Sequence, residues 1–393
     1  MNDTLLAMRA PRSLYVHIPF CASKCFYCDF NSYVTGEAAR SAYVDDLTVE
    51  LRLLRDAFFG AGEKPPLDTI FFGGGTPTLL SPVQWRAVAL TIHELFDIAP
   101  YCEWTAEANP GTVDAELLDT LTALGVNRLS FGAQTLNETL LQAIGRIHGA
   151  DDVMRSIDLA AARGFARINV DLMLGLPDQT LQDVSQSLSR LLATGVTHVS
   201  AYGLKVEDGT PFAKWQEAGL LRLPDEDAEV AMYETARDIL AAHGYAQYEI
   251  SNFALPGQEA RHNLVYWSNL PYLAAGAGAH GYVRSRRYQN ERSLTSYGQR
   301  VRRKERPVAE VQDVAAGTAM EDTMMLGLRL QQGVSYSHFQ ALHGMEMREV
   351  FGGAMDRLSQ QGVLLQGAAE VRIPPAYYEV ANEIFSAFIG VCS

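Results

Sequence analysis

The chain lacks the sequence features that mark exported and membrane-embedded proteins. Its N-terminal stretch MNDTLLAMRAPRS has no apolar core of the kind that a signal peptide needs. No uninterrupted apolar run approaches the ~18 residues that span a bilayer. With 393 residues, 48% hydrophobic and 20% charged, the chain is long enough for two domains with buried cores. We therefore expect a cytoplasmic protein without a transmembrane segment.

Positive charge is also scarce. The chain has 32 lysines and arginines against 46 aspartates and glutamates, which gives a formal net charge of −14 at pH 7. Nucleic acids and anionic lipids both favour a positive protein surface. Two local basic stretches, RSRRYQNER and QRVRRKER, are the exceptions, and we interpret both as solvated faces or linkers. We expect no nucleic-acid partner.

Cysteine is rare, yet three of the five cysteines fall within eight residues, as Cys21, Cys25 and Cys28. In a cytoplasmic chain this density favours metal or redox chemistry over disulfides or three unrelated thiols. A structural zinc site would need a fourth ligand, for example His17 or Cys102. A [4Fe–4S] cluster held by three thiolates instead leaves one iron open to bind another molecule. The spacing favours the iron–sulfur cluster.

From about residue 13 to 250 a helical stretch, a glycine and a short β-branched or aromatic run recur. Examples are LTALGVNRLSFG, AAARGFARINVDLMLG, LLATGVTHVSAYG and LAAHGYAQYEISN. The glycines suit the left-handed residue that ends a helix. Alternating strands and helices predict a parallel sheet, and six strands up to Leu204 predict a partial (β/α)6 barrel. Functional residues should then lie at the carboxyl ends of the strands.

The repeating pattern of helix, glycine and strand ends at about residue 300. GTAMEDTMMLGLRLQQG and REVFGGAMDRLSQQG have helical patterns, and VLLQ and EVRIP are two short extended runs. Helices followed by a small hairpin are typical of a winged-helix-like module. We predict a barrel domain over residues 1–300 and a smaller, mainly helical C-terminal domain over residues 301–393.

The motif CASKCFYC, with an aromatic residue before its last cysteine, resembles the radical S-adenosylmethionine (SAM) superfamily. This resemblance implies that the open iron chelates the amino and carboxylate groups of SAM. FFGGGTPTLL alone would indicate only a tight turn after a strand. Beside the cysteine motif, its glycines would let the backbone approach the SAM amino group without steric hindrance.

Further motifs narrow the resemblance over most of the chain. YVHIPFCASKCFYCDF, FGGGTPT, EANPGT, RLSFGAQ, NVDLMLGLP, EISNFA and EDTMMLGLRL resemble the branch that contains oxygen-independent coproporphyrinogen III oxidase and its HemW-type relative, a heme chaperone. Carboxylates can accept hydrogen bonds from the SAM ammonium or ribose, and arginine can bind its carboxylate. The SAM contacts that the resemblance implies are Tyr15, Tyr27, Gly74, Gly75, Thr76, Glu107, Gln134, Arg146 and Asp171.

Two departures distinguish the chain from the oxidase in this branch. The oxidase has a further cysteine two residues after the cluster motif, where this chain has Phe30, and it has an N-terminal extension where this chain has about a dozen residues before its first strand. Both departures predict that coproporphyrinogen oxidase activity is absent. SAM cleavage stays open.

The stretch RHNLVYW contains the HNxxYW pattern of the HemW-type group, which implies a heme-binding segment near residues 261–290. The implied heme contacts are His262, as axial ligand, with Tyr266 and Trp267 covering the macrocycle. A hydrogen-bonded loop histidine is the alternative interpretation of His262. His280 is an alternative ligand or a neighbour of SAM, and nearby arginines could bind the propionates.

The hypothesis is a cytoplasmic heme chaperone with a [4Fe–4S] cluster, SAM and heme. The resemblance implies that it passes heme to hemoproteins of the respiratory chain, at the face of the inner membrane. The rival hypothesis is the oxidase, which would use SAM to decarboxylate coproporphyrinogen III oxidatively. The sequence leaves a homodimer, the acceptor and the mode of heme attachment open.

Overall fold

The computed structural model describes residues 10–392, so the first nine residues of the N-terminal stretch considered above lie outside it. Six parallel strands lie side by side in chain order. They are β1 (Ser13–Ile18), β2 (Pro66–Gly74), β3 (Asp97–Ala108), β4 (Arg128–Gln134), β5 (Arg167–Leu174) and β6 (His198–Gly203). The predicted six-stranded parallel arrangement is confirmed. Within the described residues the sheet stays open, because β1 and β6 are not neighbours.

Helices connect these strands and cover one side of the sheet with apolar side chains. The connecting helices are α1 (Glu37–Phe59), α2 (Pro82–Leu95), α3 (Ala115–Leu124), α4 (Glu138–Ala143), α5 (Ala150–Ala162) and α6 (Leu181–Leu192), with a 3-10 turn at Pro77–Leu79. In α6, Val184, Leu188 and Leu191 are buried at helical spacing. The glycines that the sequence placed after helices all have positive φ; Gly125, for example, ends α3 with a φ of 102°.

Additional strands extend the sheet at both edges. After α7 (Pro211–Glu217) and α8 (Glu226–Ala242), β7 (Ala246–Glu249) forms the outer edge of the sheet and pairs antiparallel with β8 (Asn252–Ala254), which pairs antiparallel with β6. At the other edge, β9 (Leu273–Ala275) pairs in parallel with β1. The predicted helix–glycine–strand pattern therefore continues to about residue 250, with α8, Gly244 and β7, whereas β9 was not predicted.

A second sheet and two helices follow the first sheet. The antiparallel strands are β10 (His280–Val283), β11 (Arg286–Asn290) and β12 (Val308–Asp313), and the helices are α9 (Arg261–Trp267) and α10 (Leu294–Arg302). The sequence patterns did not reveal this sheet, because its strands are only four to six residues long. It lies next to β9 in the chain and brings β10 near the end of β1.

The C-terminal residues form a mainly helical domain with its own hydrophobic cluster, as predicted. Its elements are α11 (Ala316–Gly327), β13 (Val334–Ser335), α12 (Tyr336–His343), α13 (Met347–Gln360), β14 (Leu365–Gln366), β15 (Glu370–Arg372), a 3-10 turn at Pro375–Tyr377 and α14 (Ala381–Ser386). The predicted hairpin is β14 with β15. The cluster packs Met324, Phe339 and Phe351. The boundary at residue 300 stays a prediction.

Among the helices between residues 10 and 392, none combines the length and the apolar character that crossing a bilayer requires.

A buried carboxylate joins α1 to β9 and to the second sheet. Glu50 is 1% exposed and accepts hydrogen bonds from the Gly276 backbone N–H (2.7 Å), the Asn290 side-chain amide (2.6 Å) and the Tyr297 hydroxyl (2.6 Å). Burial raises its pKa to about 7, although these donors act in the opposite direction. Glu50 therefore holds three separate segments with one side chain.

We expect the contribution of Glu50 to the free energy of unfolding to fall as pH rises. Its pKa is about 7 in the folded chain against an ordinary value of 4.5, so the folded state binds the proton more tightly. The contribution is fully present below the ordinary value and is lost as pH rises through about 7, a change of roughly 3 kcal/mol.

Urea unfolding of one anaerobic preparation at about pH 5 and about pH 8 measures this loss. Glu50→Gln cannot titrate and should remove this part of the pH dependence. Glu63→Gln changes an exposed carboxylate and should retain it. An identical pH dependence in the wild type and Glu50→Gln would contradict the assignment.

Candidate functional site

The carboxyl ends of the parallel strands open into a cavity of about 560 Å³. This is the end of the sheet at which the sequence placed function. Among the predicted residues, those that line it are Cys21, Cys25, Cys28, Tyr15, Tyr27, Gly74, Gly75, Glu107, Gln134, Arg146 and Asp171. Thr76 does not line the cavity; it is buried, and its hydroxyl faces the Cys21 sulfur at 3.8 Å.

The loop between β1 and α1 carries the three cysteines. The Cys21 N–H donates to the Tyr33 carbonyl (3.0 Å), and the Phe26 N–H donates to the Ile144 carbonyl (3.1 Å). The Phe26 ring meets the Trp215 ring edge-on, which fixes the middle of the loop against α7. All three thiols are free and half-buried. The loop therefore presents three sulfur ligands to one cavity.

The arrangement suits a cluster better than a single metal ion. Across residues 10–392, no group of three histidine, cysteine or carboxylate side chains is gathered closely enough to hold one ion. A four-iron cluster is wider than one ion, and each cysteine binds a different iron. Burial raises the pKa of Cys28 to about 11, so its thiolate is favoured only when iron supplies positive charge.

Arg146 connects the cysteine loop to the strands. Its guanidinium donates to the Cys25 sulfur (3.3 Å), to the Asn109 side-chain oxygen (2.9 Å) and to the Gly132 carbonyl. Its Nε is buried and has no hydrogen-bond partner in the described structure. Arg146 therefore has a donor left to offer a ligand in the cavity, which is consistent with the implied contact to a carboxylate.

The glycine loop allows β1 and β2 to approach closely at their ends. A Cβ on Gly74 would lie 2.1 Å from a His17 ring carbon, and a Cβ on Gly75 would lie 2.6 Å from the Phe20 carbonyl oxygen. Gly74 also has a φ of 105°, which L side chains rarely adopt. Only glycine fits at these two positions, and the exposed backbone faces the cavity.

Two carboxylates face the same cavity from β3 and β5. Glu107 accepts a hydrogen bond from the Gly74 N–H (2.9 Å). Burial raises the pKa of Glu107 to about 8, and the nearby Asp171 carboxylate adds to this shift, although the Gly74 hydrogen bond acts in the opposite direction. Asp171 accepts from the Asn169 amide (2.7 Å), and enclosure also raises its pKa. A ligand with ammonium or hydroxyl donors would stabilise both ionised carboxylates.

Gln134 ends β4 in an unusual conformation. Its φ of 68° lies in the left-handed region, which non-glycine residues seldom adopt. Strained backbone of this kind clusters at ligand sites. The strain places the Gln134 side chain against Gly132 at the cavity wall.

His262 does not line the cavity at the strand ends, and heme ligation by this residue stays a prediction. The residue is 0% exposed; its Nδ1 shares a hydrogen with the Thr69 hydroxyl (2.8 Å) and its Nε2 with the Tyr266 hydroxyl (2.8 Å). Its ring also stacks on Phe71, and burial lowers its pKa to about 3. Both ring nitrogens are bonded within the protein, so ligation of iron by His262 would require one of these bonds to break.

The two aromatic residues of the motif point to different places. Tyr266 lines the cavity at the strand ends. Trp267 lines a separate cavity of about 630 Å³ beside the C-terminal domain, and the Arg329 guanidinium lies 4.5 Å from its ring centre. Tyr266 and Trp267 therefore do not line one cavity here, and their joint contact with heme stays a prediction.

Most of the arginines suggested for propionates are engaged elsewhere. Arg286 pairs with Asp313 at 2.6 Å, and Arg287 pairs with Asp322. Arg284 donates to the Phe58 carbonyl at 2.7 Å. These contacts leave the second sheet tied to its neighbours rather than open to an anion.

Sequence reasoning missed a further cavity of about 400 Å³ that adjoins the first. Both are lined by Tyr15, Gly74, Glu107 and Tyr266. The second is also lined by Tyr272, His280 and Arg292. His280 was considered as a ligand, and Arg292 ends the basic stretch RSRRYQNER, which was interpreted as a solvated face or linker. No motif marks Tyr272, and only the fold brings the three residues together.

Comparison with known proteins agrees with this geometry. The family description "Radical SAM superfamily" matches residues 15–191, and "HemN C-terminal domain" matches residues 315–376. Over 380 residues the chain is 39% identical to "Heme chaperone HemW" of Bacillus subtilis (strain 168), which covers 96% of this chain and 99% of the relative. Over 381 residues it is 36% identical to "Heme chaperone HemW" of Escherichia coli (strain K12), covering 97% and 98%.

One solved structure has the same fold over nearly the whole chain. It is described as "Coproporphyrinogen III oxidase (HemN) from Escherichia coli is a Radical SAM enzyme", with a TM-score of 0.83 and 22% identity. The match covers 98% of this chain and 93% of that chain. At this identity the likeness shows the fold alone.

Gly74→Ala should weaken SAM binding, because its Cβ would displace the His17 ring and the end of β1. We expect at least about a tenfold loss of SAM affinity in equilibrium binding. Gly164 also has positive φ but has open space around it, so Gly164→Ala should cost only about 1 kcal/mol of stability and retain binding. Equal SAM affinity in both variants would disprove the steric argument.

Cys25→Ala should prevent assembly of the cluster. Anaerobic reconstitution of the wild type should give about four irons per chain, and the variant should retain few of them. Cys392 lies outside the cavity, and Cys392→Ala should load normally. Iron and sulfide analysis of the three preparations measures cluster assembly. A full iron content in Cys25→Ala would show that Cys25 is not a cluster ligand.

His262→Ala should destabilise the fold by about 2–4 kcal/mol, because it leaves a cavity and removes the partners of Thr69 and Tyr266. His243→Ala removes an exposed histidine from the end of α8 and should change stability little. Urea unfolding compares the two. An unchanged free energy of unfolding in His262→Ala would mean that the buried hydrogen bonds of His262 do not stabilise the fold.

Proposed function

The chain belongs to the HemW family of the radical SAM superfamily, and from this membership we propose that it is a heme chaperone. In this proposal it binds a [4Fe–4S] cluster and SAM at the strand ends, binds heme, and passes the heme to hemoproteins. The proposal places the protein in the cytoplasm and its acceptors in the respiratory chain at the inner-membrane face. The relatives named above supply the chaperone part of the proposal.

The observation that carries the proposal is the single cavity that brings three half-buried thiols to the glycine loop and to the Glu107 and Asp171 carboxylates. Cys21, Cys25 and Cys28 would hold the cluster, which when bound supplies an electron and an open iron for SAM. Arg146 would orient the SAM carboxylate with its unpaired Nε–H. The Gly74 and Gly75 backbone would keep side chains away from the ligand.

The cavity also supports a chaperone over the oxidase. Phe30 stands where the oxidase has its additional cysteine, lines both cavities and is 62% exposed. A phenyl ring offers a porphyrin an apolar contact and no further thiol. The identity of 36–39% to proteins named heme chaperone, against 22% to the oxidase structure, favours the same choice.

A heme titration combined with a turnover assay tests the proposal. Anaerobically reconstituted protein should bind about one heme per chain, followed by Soret absorbance, and should release it to an added apo-hemoprotein. The same preparation should leave coproporphyrinogen III unchanged. Turnover to protoporphyrinogen IX without stable heme binding would make the protein an oxidase.

A further inference from the structure

The smaller cavity adjoins the cofactor cavity, and we call it the annex. It measures about 400 Å³, and five residues line both spaces. His280, at the start of β10, is exposed at its outer side. A ligand in the annex would therefore lie beside the cofactor cavity and remain partly accessible to solvent, as cargo that must be handed on requires.

One imidazole at these cavities is free to bind a metal. His17, His198 and His280 line one cavity or the other. His17 bonds to the Tyr15 hydroxyl and the Asn31 carbonyl, and His198 bonds to Asn169 and Tyr248. Among the described residues, the His280 ring has no hydrogen-bond partner. A neutral imidazole nitrogen is a good axial ligand to heme iron.

A cation without a partner faces the same space. Arg292 is exposed, and no described side chain pairs with its guanidinium; in the described lining of the annex it is also the only arginine or lysine. Asn31 and Tyr33 donate hydrogen bonds to the Arg292 carbonyl, at 3.1 and 2.9 Å, and hold its backbone in place. The other charged groups in the wall are carboxylates, Asp29 and Glu107. An anionic edge of a ligand would therefore turn toward Arg292.

Aromatic rings form the inner wall. Tyr15, Tyr266 and Tyr272 line the annex, and the Tyr266 and Tyr272 rings meet edge-on with centroids 4.6 Å apart. Phe30 completes the wall at the boundary with the cofactor cavity. Flat apolar surfaces of this kind suit a flat aromatic ligand.

The strand that carries His280 is held in position by buried contacts. The Asn290 N–H donates to the Ala279 carbonyl (2.9 Å), and the Asn290 side chain donates to Glu50 and to the Gly276 carbonyl. The turn before His280 therefore cannot move without breaking the bonds of a buried carboxylate. This gives His280 a fixed position relative to Tyr15 and β1.

From these contacts we propose that the annex is the heme site, with His280 as axial ligand to the iron and Arg292 bound to a propionate. The inference rests on the proposed function and names the site of its cargo. The porphyrin edge would lie against Tyr15, Tyr266 and Tyr272, with the iron at the exposed side. In this role His262 is a positioning residue that holds Tyr266.

Heme titration of the anaerobically reconstituted full chain tests the site. His280→Ala should weaken heme affinity about tenfold or more and shift the Soret band. Added imidazole should restore the wild-type spectrum, which a purely structural role of His280 would not allow. Arg292→Gln should weaken affinity about threefold to tenfold and leave the Soret position unchanged.

Matched controls are His243→Ala and Arg303→Gln, which change exposed residues outside both cavities and should leave heme affinity unchanged. Iron content and SAM binding should stay normal in every variant. If His280→Ala does not assemble the iron–sulfur cluster, His280→Gln replaces it. If the wild type binds heme and the His280 variant has the same spectrum and affinity, this inference is wrong and the chaperone proposal stands. Absence of heme binding by the wild type would overturn both.

Discussion

The close approach of β1 and β2 at their carboxyl ends is the constraint on which the site depends. Gly74 and Gly75 leave no room for a side chain beside His17 and the Phe20 carbonyl. The cysteine loop starts directly after β1, so this contact sets where the thiols stand relative to the strand ends. It also directs the Gly74 N–H to Glu107. A steric limit between two backbones therefore organises both the cluster ligands and the carboxylates.

Buried polar contacts determine which groups remain available to ligands. His262, His17 and His198 each have both ring nitrogens bonded within the protein, which satisfies them and removes them as ligands. Arg286 and Arg287 are likewise paired with aspartates. The proposals rest on groups that have no side-chain partner among the described residues, namely the Arg146 Nε, the His280 ring and the Arg292 guanidinium.

The second sheet links the stability of the fold to the chemistry of the site. Glu50 accepts hydrogen bonds from the loop after β9, from β11 and from α10, and Asn290 carries this contact on to the turn before His280. An ionised carboxylate in this position is costly unless all its donors are present. The same bonds that satisfy it hold one wall of the annex.

The sequence by itself determined the six alternating strands and helices, the helix-ending glycines, the C-terminal hairpin and the cysteine loop. These features follow from local periods, local backbone preferences and short spacing, which neighbouring residues decide. Only the tertiary structure decided the accessibility of each candidate. The partner of His262 on β2, Thr69, lies 193 residues away in the chain, and the annex joins residues from β1, β3 and β10. Burial and hydrogen bonding between such distant segments depend on packing, and no local pattern encodes them.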